Sequence, residues 1–284
     1  MATLTKSAVL DRREVRYRRR MNLRVTTPEQ AVKFVNDVGF SFLFPIQGVE
    51  MPSLWDAIAG RVMKTTNKHS GYEIERTWGW KDESLNKKWW YYGKLIRDKA
   101  TLISLDFLPN FYALSENYGD YENDYLEEYR TGAISSEAKQ IYEALLQYGA
   151  LDAIRLRREA RMSSDESKPR FEKALTDLQA GLKVLPIGIA PVGAWRYAFI
   201  YEILPRWLPD VPARARVISR TEARRRILDR YIHNVIAAPL PTIARLFKWK
   251  TAEAQQAAEA LAAAGHVELD FKVAGIRELQ VMAK

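Results

Sequence analysis

The sequence predicts an α+β fold, mainly helical, made of tandem winged-helix units, each a helix-turn-helix closed by a β-wing. Two observations carry this. Residues 135–203 run helix, short helix, helix and hairpin, and residues 221–283 repeat that order with almost no shared residues. Cap and breaker residues stand at the joints of both copies.

Each element follows from its local chemistry. Ser135 or Ser136 caps a helix with the stripe Ala138, Ile141, Tyr142 and Leu145, ended by Gly149. Asp152 caps the short second helix, and Met162, Ser163 and Ser164 turn the chain into a third that buries Phe171, Ala174, Leu175, Leu178 and Leu182. Val184–Gly188 forms a strand, residues 190–193 turn, and a second strand alternates Trp195, Tyr197, Phe199, Tyr201 and Ile203 with polar neighbours. In the later copy the first stripe is Ala223, Ile227, Leu228, Tyr231, Ile232 and Val235, and Pro239 and Pro241 open a short helix. Thr251 is expected to cap the third helix, with Ala254, Ala257, Ala258 and Leu261 inward, and the wing turns at Gly275. A weaker third copy opens the chain: a helix around Leu10–Met21, one from Thr27 with Pro28 at its first position to Val38, and a strand from Phe40 to Phe44.

The expected organisation is an N-terminal helical, partial unit over 1–62, an aromatic and basic then acidic connecting region over 63–132, a winged helix over 133–216, and a C-terminal winged helix over 217–284. The segment 63–132 fits no copy.

Composition narrows the function. At 284 residues, 47% hydrophobic and 28% charged, the chain reads as an ordinary globular protein. It has no cysteine and three scattered histidines, His69, His233 and His266, so no zinc cage, iron–sulfur cluster or thiol nucleophile is expected. The longest uncharged apolar stretch, Val184–Trp195, is broken by Pro186, Gly188, Pro191 and Gly193 and is too short for a membrane helix. The start is Arg-rich without an apolar core, so no secretory signal is expected and the compartment is read as cytoplasmic. No phosphate loop, nucleophile elbow or calcium loop is present, and neither a metal nor a nucleotide cofactor is expected. The acidic run 112–128 is read as a helix face.

The net charge of +9 favours polyanionic partners, and its distribution says more. Residues 1–24 hold eight bases against two acids, residues 211–230 seven against two, and residues 76–99 seven against three, interleaved with Trp78, Trp80, Trp89, Trp90, Tyr91 and Tyr92. The third helices of the two clear copies expose little base. One presents Glu166, Pro169, Lys173, Asp177 and Ala180 with Arg170 on its flank, the other Ala252, Gln256, Glu259 and Ala263. This favours holding phosphates over reading bases. The candidate contacts are Arg12, Arg16, Arg19 and Arg20; Lys87, Lys88 and Trp89; Arg170 and Lys173; Arg196 on the wing; and Arg225, Arg226 and Arg230. Arg224 falls within the apolar stripe of its helix and is read as facing another domain. The Trp89–Tyr92 run is either a platform for an unpaired base or core.

The order of the units, with Val38-Gly39-Phe40, Ser53-Leu54-Trp55, Trp78-Gly79-Trp80-Lys81-Asp82 and Tyr91-Tyr92-Gly93-Lys94, resembles the AlkZ/YcaQ-like family of DNA glycosylases that act on alkylated and crosslinked DNA. The resemblance covers most of the chain and implies tandem winged helices around a basic DNA channel. It also implies a catalytic Gln-x-Gln or Gln-x-Asp just after the pair that here reads Val38-Gly39, a register that falls on Phe42 and Phe44. Phenylalanine neither positions water nor stabilises a cationic sugar. The expectation is therefore a protein that binds duplex or damaged DNA through phosphates, without base excision. The alternatives are an active glycosylase whose pair has moved to Gln47 and Glu50, and a transcription regulator or protein-interaction scaffold.

Overall fold

The computed structural model describes residues 4–64 and 71–284; His69 lies outside them. Among the described residues the chain is mainly helical, with three small antiparallel sheets. Helix α1 (Lys6–Arg16), capped by Thr5, comes first. Then α2 (Pro28–Val38), β1 (Phe40–Phe42), α3 (Leu54–Ala59), α4 (Tyr72–Lys87), β2 (Tyr91–Gly93) and β3 (Thr101–Ile103) form one unit. Two short helices, α5 (Leu108–Tyr112) and α6 (Asp124–Arg130), lead to the second: α7 (Ser136–Tyr148), β4 (Leu151–Asp152), α8 (Ala153–Glu159), α9 (Lys168–Ala180), β5 (Val184–Ala190) and β6 (Ala198–Ile203). After α10 (Leu204–Trp207) and α11 (Asp210–Arg216) the third comprises α12 (Arg220–Val235), β7 (Ala237–Ala238), α13 (Leu240–Phe247), α14 (Thr251–Ala263), β8 (Val267–Phe271) and β9 (Gln280–Ala283).

The sheets share one topology, β1-β3-β2, β4-β6-β5 and β7-β9-β8, with the last strand of each unit in the middle. This is the winged-helix arrangement three times over. The first copy extends well past the expected strand at Phe40–Phe44: its hairpin comes from residues 91–103, inside the segment that carries no repeat signal in the sequence. The break expected between residues 62 and 63 falls between α3 and α4 of this unit.

The caps explain the joints. Ser135 Oγ accepts from Ala138 N–H at 3.2 Å, Asp152 Oδ1 from Ile154 and Arg155 N–H at 3.0 Å each, and Thr27 Oγ1 from Gln30 N–H at 3.3 Å. Four local expectations need correction. The first helix is Lys6–Arg16 rather than Leu10–Met21, because the chain turns at Arg18, where φ is +58°. The second wing strand begins at Ala198, because Gly193 and Arg196 take φ of +81° and +50° and extend the turn through Trp195. The N-cap of α14 is Lys250, whose N–H donates to Glu253 Oε2 at 3.0 Å, so Thr251 is the first helical residue. The acidic run is helical only from Asp124, whose Oδ2 instead accepts from Tyr118 and Gly119 N–H at 2.8 and 3.1 Å.

The largest core among the described residues joins the first and third units, with Leu182 of the second, and includes Phe40, Phe42, Tyr91, Phe111, Ile227, Tyr231 and Leu246. A second lies within the middle unit, around Ile141, Leu145, Phe171, Leu178 and Tyr201. A third packs Phe34, Val38, Leu43, Leu54, Trp80, Trp90 and Leu102. No helix among the described residues is long and apolar enough to cross a membrane.

Candidate nucleic-acid interface

The positions where the resemblance implies catalytic amides are the last residue of strand β1, Phe42, and Phe44 two residues beyond it. Phe42 is wholly buried in the core that joins the first and third units. Phe44 is half-buried, its ring centroid 5.3 Å from Trp55 and 5.1 Å from Trp78. Both side chains therefore meet carbon. In the loop that follows, Gln47 is exposed, while the Glu50 carboxylate pairs with Arg13 at 3.1 Å and Arg19 at 3.9 Å.

The N-terminal arginines form a seam between the first and third units. Arg13 donates to the carbonyls of Val235 and Ala237 at 2.6 and 2.8 Å. Arg16 donates to Asn234 Oδ1 at 2.9 Å and to the Asp37 carbonyl at 2.6 Å, and Arg230 reaches the same carbonyl at 2.7 Å. Burial, and then the neighbouring Arg230 charge, lower the pKa of the Arg16 guanidinium. Gly39 makes room here: with φ of +77°, a Cβ on it would lie 3.0 Å from the Arg230 stem. Arg19 grips the fully buried Asp56 through Nε and Nη2 at 3.0 and 2.6 Å, and Arg20 pairs with Asp11. Arg12 is exposed, with no ion-pair partner among the described residues.

The aromatic run divides between core and surface. Trp90 and Tyr91 are buried, and half-buried Trp89 meets Trp90 edge to face at 5.7 Å. Lys87 pairs with Glu83, and Lys88 donates to the Trp207 carbonyl at 2.9 Å with its ammonium 4.3 Å from that indole. Lys81, which composition alone does not single out, is completely buried among Trp78, Tyr92, Tyr197 and Phe199, its Nζ donating to Tyr197 Oη at 2.6 Å and paired with Asp82. Burial lowers its pKa. This contact fastens α4 to the wing of the second unit; only the helical spacing of Trp78 and Lys81 hints at it in the sequence.

The remaining candidates lie on surfaces. Arg170 pairs with Glu137 at 3.5 Å and Lys173 with Asp177 at 2.7 Å. Arg225 and Arg226 share Glu222, and their hydrogen bonds pull its carboxyl down to about 2. Arg196 is exposed in the wing turn beside Trp195, which is 91% exposed. Arg224 Nη2 donates to Glu253 Oε1 at 2.6 Å within its own unit, and its side chain lines a cavity shared with Ile96 and Arg97 of the first unit and Ala180 of the second.

No curated protein and no solved structure matches the chain at a significant level. Residues 25–248, which cover the first two repeats and the third as far as the end of α13, match the family model described as AlkZ related, and the chain belongs to the AlkZ-related family.

Proposed function

We propose that the protein binds duplex DNA through its phosphates and does not excise bases. The observation that carries this reading is the family relationship, which is to DNA glycosylases, combined with two phenylalanines, at the end of β1 and just beyond it, packed among aromatic rings and core. Nothing at those positions guides water or stabilises an oxocarbenium ion. Glu50, the carboxylate of a displaced pair, is already engaged by Arg13 and Arg19.

The contacts best placed for phosphate are the exposed cations Arg12, Arg170, Lys173, Arg196 and Arg226. Lys173 and Arg226 have carboxylate partners four residues away on the same helix. Such surface pairs are worth about 0–1 kcal/mol, so a phosphate replaces them at little cost. Arg16 and Arg230 serve the seam, and Arg19 holds Asp56 within the first unit. Arg170 and Lys173 are the bases near the outer face of α9, and the outer face of α14 has none, which favours backbone holding. The test is titration of labelled duplexes of unrelated sequence at several salt concentrations. Log K should fall linearly with log salt at about 0.9 per phosphate contact, with the same slope for every sequence. No binding at low salt would remove the reading.

A further inference from the structure

Where the three units meet, residues 95–97 of the first wing, the end of α9 and the start of α14 enclose a cavity of about 340 Å³, within the range that holds small ligands. Its floor is apolar and flat. Phe247 and Trp249 stack at 4.8 Å with their planes 24° apart, and Phe111 and Phe247 both pack on buried Phe40, so the floor is anchored in the core. The rim is cationic: Arg97, Arg220, Arg224, Lys248 and Lys250 stand against one acid, Glu253.

Arg220 pairs with Glu116 at 3.3 Å and Lys248 with Asp98 at 3.0 Å. Glu253 is saturated, taking Arg224 on Oε1 and the Lys250 N–H on Oε2. Arg97 and Lys250 are exposed and have no ion-pair partner among the described residues. The Arg224 Nε–H, buried at the wall, has no acceptor, an arrangement folded proteins rarely tolerate without a reason. Arg97 also holds φ of +57° within the wing turn, a conformation uncommon for residues with side chains, whereas the +56° at Lys248 is the left-handed cap that ends α13. Excess positive charge beside an indole face calls for an anion that carries a planar ring.

We propose that this cavity binds a nucleoside 5′-phosphate, with the base on Trp249 and the phosphate held by Arg97, Lys250 and Arg224. The same chemistry is offered by a free nucleotide and by an unpaired nucleotide of a DNA strand. The test is calorimetric titration of the full chain with adenosine 5′-monophosphate and with inorganic phosphate. The mononucleotide should bind roughly 5- to 150-fold more tightly, the range that stacking one base supplies. Arg97→Glu with Lys250→Glu should weaken it at least tenfold with an unchanged thermal midpoint, since both residues are exposed. Trp249→Leu should erase the advantage over phosphate. If the source is a strand, a duplex with one unpaired nucleotide will outbind a fully paired one, and the mononucleotide will compete that difference away; equal binding assigns the site to the free nucleotide. Absence of binding at millimolar mononucleotide, or binding that the double variant leaves intact, overturns the proposal. Because the duplex titration is separate, loss of duplex binding alone sinks only the DNA reading.

Discussion

Asp56 has no exposed surface, and its carboxylate accepts two hydrogen bonds from Arg19 and one from Met63 N–H at 2.8 Å. Truncating one partner of such a pair leaves the other charged and desolvated, here with only the longer Glu50 contact at 3.9 Å, which costs about 3–5 kcal/mol. Asp56→Ala should therefore lower the unfolding free energy in urea by that amount; a loss below about 1 kcal/mol would show that the pair contributes little. Glu222 gives a pH signature of known sign. Its folded pKa lies near 2, held down chiefly by Arg225 and with help from Arg226, whereas an unfolded Glu titrates near 4.3. Its contribution to stability is thus complete above about pH 5 and is lost as pH falls through that window towards 2. Glu222→Gln should flatten the acid limb of a stability–pH curve there, and an unchanged limb would assign it to other carboxylates.

At the scale of elements, α1 acts as a clamp. Arg13 and Arg16 reach carbonyl and amide groups of residues 234–237, at the join of α12 and β7, and Arg16 also holds the end of α2. Arg13→Ala with Arg16→Ala should speed amide exchange across Val235–Ala238 and lower the denaturation midpoint. Arg12→Ala, on the exposed side of the same helix, should stay within about 0.5 kcal/mol of wild type while weakening DNA binding. Exchange in the double variant as slow as in wild type would mean that the seam holds without α1. The sequence disclosed what is local: the caps Thr27, Ser135 and Asp152, and the stripes of α7, α9 and α12. The hairpin of the first unit was hidden because β2 and β3 are three residues each, too short for an alternating pattern to rise above a run of aromatics. The arginine seam was hidden because Arg13 meets carbonyls more than 220 residues away in sequence, and a carbonyl partner leaves no charge pattern to read. On the site, the phenylalanines at 42 and 44, where the resemblance implies amides, are read from the sequence itself. The cavity at the junction is not, since its cations come from three separate stretches, at 97, 220–224 and 248–250.

Across the whole molecule, the relationship to glycosylases and the chemistry of this chain diverge. The match covers the first two repeats and the opening of the third, and the net charge of +9 suits a polyanion. Affinity for a damaged duplex and cleavage of its glycosidic bond are separate properties, however. Cleavage needs a group that stabilises the cationic sugar and one that guides water, and a well-placed acid or base contributes about 10²–10⁴ in rate. At the implied positions stand Phe42, wholly buried, and Phe44, packed on Trp55 and Trp78. The purified protein at stoichiometric concentration should therefore release no 7-methylguanine from alkylated DNA and unhook no interstrand crosslink, while still binding both in a gel-shift or anisotropy assay. Single-turnover excision above the uncatalysed rate would overturn this. The variants Gln47→Ala and Glu50→Gln would then locate the chemistry: excision lost in either places the pair in the loop after β1, and excision kept in both places it elsewhere in the fold. Restoring the implied amides by Phe42→Gln with Phe44→Gln should not create activity, because the amide introduced in place of Phe42 would enter a core without the cavity or the polar partners that a catalytic amide needs.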